Sequence, residues 1–258
     1  MNKPKVHFVD TYLIQPTNPV SINLIGAGGT GSQVLTNLAR INHSLVAMQH
    51  AGLFVRVFDD DVVTEANLGR QLFTTAELGL NKGVALINRI NRFFGTNWKA
   101  VPGKFTHSTS CKANITISCV DNVQTRFEIA DSFKDNPMKN NLDTPLYWMD
   151  YGNSQYTGQV ILSTVRPIEQ PKSKKYIPID TLPFVTDEFK TLLQQADYDD
   201  TPSCSLAEAL TKQDLFINTS IASLGASLLW QLFRQGMIEN RGFFMNLKEF
   251  RTQPLKVA

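Results

Sequence analysis

Residues Ser21-Ile-Asn-Leu-Ile-Gly26-Ala-Gly28-Gly29-Thr30-Gly31 decide how this 258-residue chain is read. The short β-rich apolar run Ile22 to Ile25 meets a glycine cluster, after which Val34, Leu38 and Ile41 recur at helical spacing. The pattern predicts strand, tight turn, helix. Glycines let the backbone turn sharply and approach a ligand closely, and the free N–H groups and positive dipole end of the next helix favour phosphate. A nucleotide is the expected ligand.

Outward from this loop, Gly52 to Phe58 alternates β-branched and aromatic residues and runs into Asp59, Asp60 and Asp61, which predicts a second parallel strand. Thr74 and Glu77 have capping-box spacing, and Val84, Ile87, Ile90 and Phe94 mark the amphipathic helix that follows, ended by Gly95. A short strand is expected near Trp98 to Val101. Asn114 to Val120 is a near-continuous apolar β run of the kind buried on both faces, and it too ends at a carboxylate, Asp121. Val123 to Phe133 predicts a helix and Pro145 to Met149 a strand; Asp150 at its end has two readings, a supporting partner behind the site and, the favoured one, a turn residue before Gly152.

Toward the end of the chain, Gln159 to Val165 reads as a strand. A Pro- and Lys-rich stretch then leads to the polar Gln194 to Ser205, expected as exposed crossover loops. Ile217, Ile221, Leu224, Leu228 and Leu232 predict a helix with small residues Ala222, Gly225 and Ala226, stopped at Gly236. Phe243 to Leu247 predicts a late strand, and Val6 to Ile14 an edge strand or arm. Strands alternating with helices imply right-handed crossovers and an α/β fold: a Rossmann-like mixed, largely parallel sheet flanked by helices, with a crossover segment. Its ligands would sit beyond the carboxyl ends of the strands.

Composition narrows the function classes. At 42% hydrophobic residues, the chain is long and apolar enough for one substantial core. A net charge of +2 gives no electrostatic case for nucleic acid or an anionic membrane. Nothing approaches the roughly 20 apolar residues of a membrane span, and the N-terminus has no apolar signal region, so a cytoplasmic location is expected. Cys111, Cys119 and Cys204 form neither a C-x-x-C pair nor a disulfide framework, so reduced thiols and no structural zinc are expected. His7, His43, His50 and His107 show no ligand spacing.

The glycine loop alone also suits NAD or FAD, so the residues after it discriminate. Asn67-Leu-Gly-Arg70-Gln71 follows Asp59, and Gly79-Leu-Asn-Lys82 precedes Asp121. Asp59 at a strand end can accept ribose hydroxyls. Arg70 offers a planar fork for phosphate oxygens and Lys82 a mobile point charge. Asp121 is a hard oxygen ligand suited to a phosphate-bridging Mg²⁺. A dehydrogenase has no use for this cluster.

At these residues the chain resembles the ThiF/MoeB/HesA family of ubiquitin-activating-like adenylyltransferases. The resemblance rests on G-x-G-G-x-G at Gly26 to Gly31, D-x-D at Asp59 to Asp61, N-L-x-R-Q at Asn67 to Gln71, G-x-x-K at Gly79 to Lys82, and C-x-D-N at Cys119 to Asn122. It covers Ser21 to about Asn122, and the motifs are specific jointly rather than singly. The Phe243-Phe-Met-Asn-Leu-Lys248 run and the N-terminal arm are also similar to ThiF-like members of PRTRC gene cassettes.

The resemblance implies a single ThiF-like adenylation domain over 1–258, with an arm at 1–20, a nucleotide-binding core at 21–152, a strand and crossover loops at 153–212, and a C-terminal helix and strand at 213–258. It implies ATP and Mg²⁺, and a ubiquitin-like or sulfur-carrier protein whose C-terminal glycine becomes an acyl adenylate. By position, Gly26, Gly28, Gly29 and Gly31 would line the nucleotide, Asp59 would hold the ribose, Asn67, Arg70 and Lys82 the phosphates, with Gln71 orienting Arg70 or a phosphate, and Asp121 the metal. A homodimer and a conjugating-enzyme-like partner are further implications.

Relatives commonly add an arginine from an N-terminal segment, and the first 39 residues contain none, so either Lys3 or Lys5 would substitute or the step would be slower. Cys204 has two readings. It sits just before Ser205-Leu-Ala-Glu208, a capping-box spacing that would lower its pKa and suit a thioester nucleophile. Asp199 and Asp200 oppose that shift, and an ordinary free thiol is the other reading. Two rivals stand beside adenylation: an NAD-linked oxidoreductase, and a degenerate adapter that keeps the fold to dock a partner.

Overall fold

The computed structural model describes residues 3–106, 112–134, 142–195 and 213–258. In chain order the elements are β1 (Lys5–Phe8), α1 (Thr11–Ile14), β2 (Val20–Ile25), α2 (Gly29–Ala47), β3 (Leu53–Asp59), α3 (Lys82–Phe94), β4 (Lys99–Pro102), β5 (Ile115–Ser118) and α4 (Val123–Lys134). They continue with β6 (Tyr147–Asn153), β7 (Thr157–Thr164), β8 (Ile177–Pro178), α5 (Val185–Glu188), α6 (Lys190–Gln195), α7 (Ile217–Gln235), β9 (Met237–Ile238), β10 (Asn240–Asn246) and β11 (Arg251–Lys256).

An eight-stranded sheet runs in the order β11-β10-β7-β6-β5-β2-β3-β4. Pairing is parallel from β6 through β4 and antiparallel from β6 out to β11. The expected mixed, largely parallel sheet flanked by helices is therefore present. The chain builds β2, β3 and β4 outward in one direction, then returns to lay β5 and β6 on the other side of β2. That reversal puts a crevice between the carboxyl ends of β2 and β5, where open α/β sheets bind ligands.

Period-2 alternation assigns the two faces. Tyr147, Met149 and Tyr151 of β6 join one apolar core with residues of α2, α3 and α7, while Trp148 joins the other with Ile129 and Ala130 of α4 and Val185 of α5. The close approach of α7 explains one small residue: a side chain at Gly225 would overlap the Tyr151 ring. On the opposite face, fully buried Arg241 of β10 pairs with Glu188 and so ties α5 to the sheet.

Three local expectations change, and one strand had none. The Thr74–Glu77 capping box forms, but it closes a 3-10 turn at Thr75–Glu77; the helix begins at Lys82, capped by the Asn81 side chain accepting from the Val84 N–H. Asp150 is not in a turn, because β6 continues through it to Asn153. Val6 to Ile14, expected as an edge strand or arm, is β1 followed by one turn of helix, and β1 is not an edge but lies between β8 and β9 in a separate three-stranded sheet. Finally, β11 is an edge strand with no sequence expectation.

Candidate functional site

The glycine loop is held from three sides. Gly26 has φ +91°, and a Cβ there would come within 2.6 Å of the Cys119 carbonyl oxygen, so the β2–β5 crevice admits only glycine. A side chain at Gly31 would collide with the Gly26 carbonyl, and one at Gly29 would lie 2.6 Å from the Asn218 amide. Gly28, the N-cap of the 19-residue α2, differs: a Cβ there meets nothing within 4 Å. Its outer side is open.

Asp59, the last residue of β3, faces this loop. Its Oδ2 accepts from the Ala27 N–H at 2.6 Å and its Oδ1 from the Asp61 N–H at 3.0 Å. Burial raises its pKa, against the lowering effects of the Ala27 N–H, Lys82 and the Asp61 N–H. The carboxylate thus braces the loop while keeping lone pairs to spare.

Segment 67–73 runs close to the first turns of α2, with the Leu72 N–H directed at Ser32 Oγ. Asn67 is buried and consumed locally, its Oδ1 accepting from the Thr64 N–H and hydroxyl, so it shapes the segment. Arg70 donates from Nη1 to Gln213 Oε1 at 2.5 Å, while its Nε is buried without a partner. Burial lowers its pKa, yet a guanidinium stays cationic at neutral pH. Gln71 is buried, and its Oε1 also lacks a partner. Lys82, first residue of α3, pairs with Asp61 at 2.7 Å.

Asp121 is exposed just beyond β5. Its loop is built by neighbours: Asn122 Oδ1 accepts from the Thr125 N–H at 2.7 Å to start α4. Arg126 Nη2 donates to the carbonyls of Val120 at 2.8 Å and Tyr151 at 3.1 Å. Arg126 is itself paired through Nε with both Asp150 oxygens at 3.1 Å, in a pair with side chains 4% and 1% exposed. Ser118 Oγ donates to Asp150 at 2.6 Å and accepts from Trp148 Nε1 at 2.8 Å. Asp150 therefore supports the Asp121 loop from beneath. Sequence reading missed Arg126, Gln213 and Asn218; Arg126 lies five residues after Asp121, a spacing that was the available signal for it.

Cys119 is free, and burial pushes its thiol pKa well up, which fits packing rather than reactivity. Cys204 and Cys111, like the Gln194 to Ser205 loop expectation beyond residue 195, lie outside the described residues. No helix among the described residues is long and apolar enough to cross a membrane.

The geometry shows a glycine loop over a helix N-terminus at a topological switch point, braced by Asp59 and linked by hydrogen bonds to Arg70. The ThiF family signature matches residues 7–257. The chain belongs to the ThiF family. No curated protein matches this ThiF-family chain in sequence. Its fold is similar to Escherichia coli MccB crystallised with MccA (TM-score 0.60, 13% identity, 95% of this chain and 65% of that one). It is also similar to PaaA (TM-score 0.60, 13% identity, 92% of this chain and 64% of that one) and to E. coli MccB crystallised with ATP (TM-score 0.55, 14% identity, 93% and 63%). This ThiF-family chain thus spans somewhat under two thirds of the length of these structures.

Proposed function

We propose that this chain adenylates the C-terminal carboxylate of a peptide or small carrier protein at the expense of ATP. The observation that carries the reading is that Arg70, linked through Gln213 and Asn218 to Thr30 next to the open Gly28-Gly29 turn, and its neighbour Gln71 have a buried Nε and Oε1 with no protein partner. Buried polar groups are ordinarily satisfied, so these two point to a polar ligand. The crystallisation of MccB with ATP supports the choice of nucleotide.

In this reading a substrate carboxylate oxygen attacks the α-phosphorus of ATP. The bond to the bridging oxygen breaks, and pyrophosphate leaves with the electron pair. Loop N–H groups and the α2 dipole hold phosphate, Asp59 accepts from ribose hydroxyls, and Arg70 and Lys82 offset the charge that develops on the leaving group. Asp121 would hold Mg²⁺, which would supply positive charge to offset that of the phosphates. Mg²⁺ bound to phosphates needs only one or two protein carboxylates, which a single exposed aspartate can supply. The finer proposal is a C-terminal glycine on a ubiquitin-like or sulfur-carrier acceptor, a homodimeric enzyme and a cytoplasmic location. Whether Cys204 then takes the acyl group is part of the same proposal.

A second reading is the catalytically silent adapter. It is favoured by one observation: both cations are already engaged by protein groups, Lys82 by Asp61 and Arg70 by Gln213. Titration with ATP·Mg²⁺ and with NAD, on the wild type and on Arg70→Ala and Asp121→Ala, separates the readings. Saturable ATP binding weakened by either substitution supports adenylation, preference for NAD overturns it, and binding of neither supports the adapter. Pyrophosphate–ATP exchange with glycine-terminated acceptors then tests the chemistry.

A further inference from the structure

We infer that Gln213 and Asn218, at and just before the start of α7, are positioning residues of the nucleotide site, holding Arg70 against the glycine loop. The inference rests on the ATP reading above. Gln213 Oε1 accepts from Arg70 Nη1 at 2.5 Å and from Asn218 Nδ2 at 2.9 Å. Asn218, only 2% exposed, accepts through Oδ1 from the Thr30 hydroxyl at 2.8 Å. Thr30 is the second residue of α2. An unbroken chain of hydrogen bonds therefore runs from Arg70 to the glycine loop through residues far along the sequence.

Gly29 gives independent support. Its hypothetical Cβ would come within 2.6 Å of the Asn218 amide, so that amide is seated directly on the loop. The second glycine of the Gly28-Gly29 pair is thus required by α7, and the first faces open space. A further unsatisfied donor borders the chain: Thr30 Oγ1 lies 3.3 Å from Asn153 Oδ1, and Asn153 Nδ2 is buried without a partner.

The chemistry fits positioning. Gln213 takes Nη1 of the guanidinium and leaves the Nε edge without a partner. A neutral amide oxygen orients the fork without cancelling its charge, so the remaining edge stays available to an anion. Fixing the long arginine side chain in advance removes an ordering cost that binding would otherwise carry. A carboxylate at position 213 would orient the same fork but neutralise it.

The experiment is ATP·Mg²⁺ titration of the whole chain for the wild type, Arg70→Ala, Gln213→Ala, Gln213→Glu and the Arg70→Ala/Gln213→Ala double variant, each with a thermal melt. Gln213 is half-buried at the surface, so its variants are expected to fold and melt as the wild type does. Gln213→Ala is expected to weaken ATP about tenfold and to add nothing in the Arg70→Ala background. The isosteric Gln213→Glu is expected to weaken ATP at least as much, which a packing role would not produce. ATP affinity within twofold of wild type for Gln213→Ala, or a loss that adds fully to that of Arg70→Ala, overturns the inference while leaving the ATP reading intact. A wild type that ignores ATP overturns both.

Discussion

Lys82 Nζ lies 2.7 Å from Asp61 Oδ2, with the lysine side chain 9% exposed and the aspartate side chain 65% exposed. The cation is enclosed and its partner faces water, so an entering phosphate competes with an acid that solvent readily accepts. Lys82→Ala is expected to lower ATP affinity at least tenfold, in line with hydrogen bonds to charged groups. The cost in folding stability should stay under about 1 kcal/mol, because Asp61 is left hydrated rather than stranded. Isothermal titration and a thermal melt on one preparation read both; an unchanged ATP affinity would remove Lys82 from the phosphate site.

The two adjacent glycines should separate by phenotype. Gly29→Ala forces its methyl into Asn218 and is expected to destabilise by about 1–3 kcal/mol, the usual range for overpacking. Gly28→Ala places its methyl in open space, so it should cost only the N-cap preference for glycine over alanine, about 1 kcal/mol or less, while weakening nucleotide binding. Denaturant melts and ATP titration of both variants decide the matter, and equal destabilisation by the two would contradict the assignment of the open side.

Removing the acid beneath the Asp121 loop should be costly. Asp150→Ala leaves Arg126 buried without its counter-ion and is expected to lose about 3–5 kcal/mol of stability, whereas an Arg126→Met/Asp150→Leu variant should recover part of that loss. Chemical denaturation measures it. A loss below about 1 kcal/mol for the single variant would show that the pair contributes little.

His7 supplies a pH dependence. It is fully buried, with Nδ1 2.7 Å from the Ile179 carbonyl and Nε2 2.9 Å from the Tyr147 hydroxyl, and burial lowers its pKa below the ordinary 6.5. Because the folded state resists protonation, the unfolded chain takes up the proton first. The His7 contribution is therefore complete above pH 6.5 and declines as pH falls below it, with a slope of at most about 1.4 kcal/mol per pH unit. His7→Gln should flatten that part of the stability curve in urea melts between pH 7.5 and 5; an unchanged curve would assign the slope to other groups.

Much of the architecture was legible because long apolar runs with a clear period predict their own elements. The Ile22 to Ile25 run, the Asn114 to Val120 run and the Ile217 to Leu232 stripe all emerged as expected, within a few residues at their ends. Two-residue strands such as β8 and β9 carry no period, and β11, Arg251-Thr-Gln-Pro-Leu-Lys256, is polar because it is an edge. The Thr74–Glu77 box was a true cap attached to a shorter element than the pattern implied.

At the candidate site, chain order offered the glycines, Asp59, Arg70, Lys82 and Asp121 as candidates, and all but Arg70 follow a strand or open a helix. Their pairing was not legible. Arg126 with Asp150, Lys82 with Asp61 and Arg70 with Gln213 depend on which elements the sheet brings together, and no local pattern encodes that. A carboxylate after an apolar run looks the same whether it turns into solvent, as Asp121 does, or stays in the strand to meet a buried arginine, as Asp150 does.

The small sheet built on β1 has a kinetic consequence. Lys5 and Val6 pair with Ile177 and Pro178, and His7 and Phe8 pair with Ile238 and Met237, so these strands lack neighbours of their own until widely separated segments arrive. Closure of such contacts carries a chain-entropy cost that local βα units avoid, and non-local pairing slows folding. The three-stranded sheet acts as a clasp: the βα units can assemble from near neighbours, and the clasp fastens only when the chain has come almost full circle.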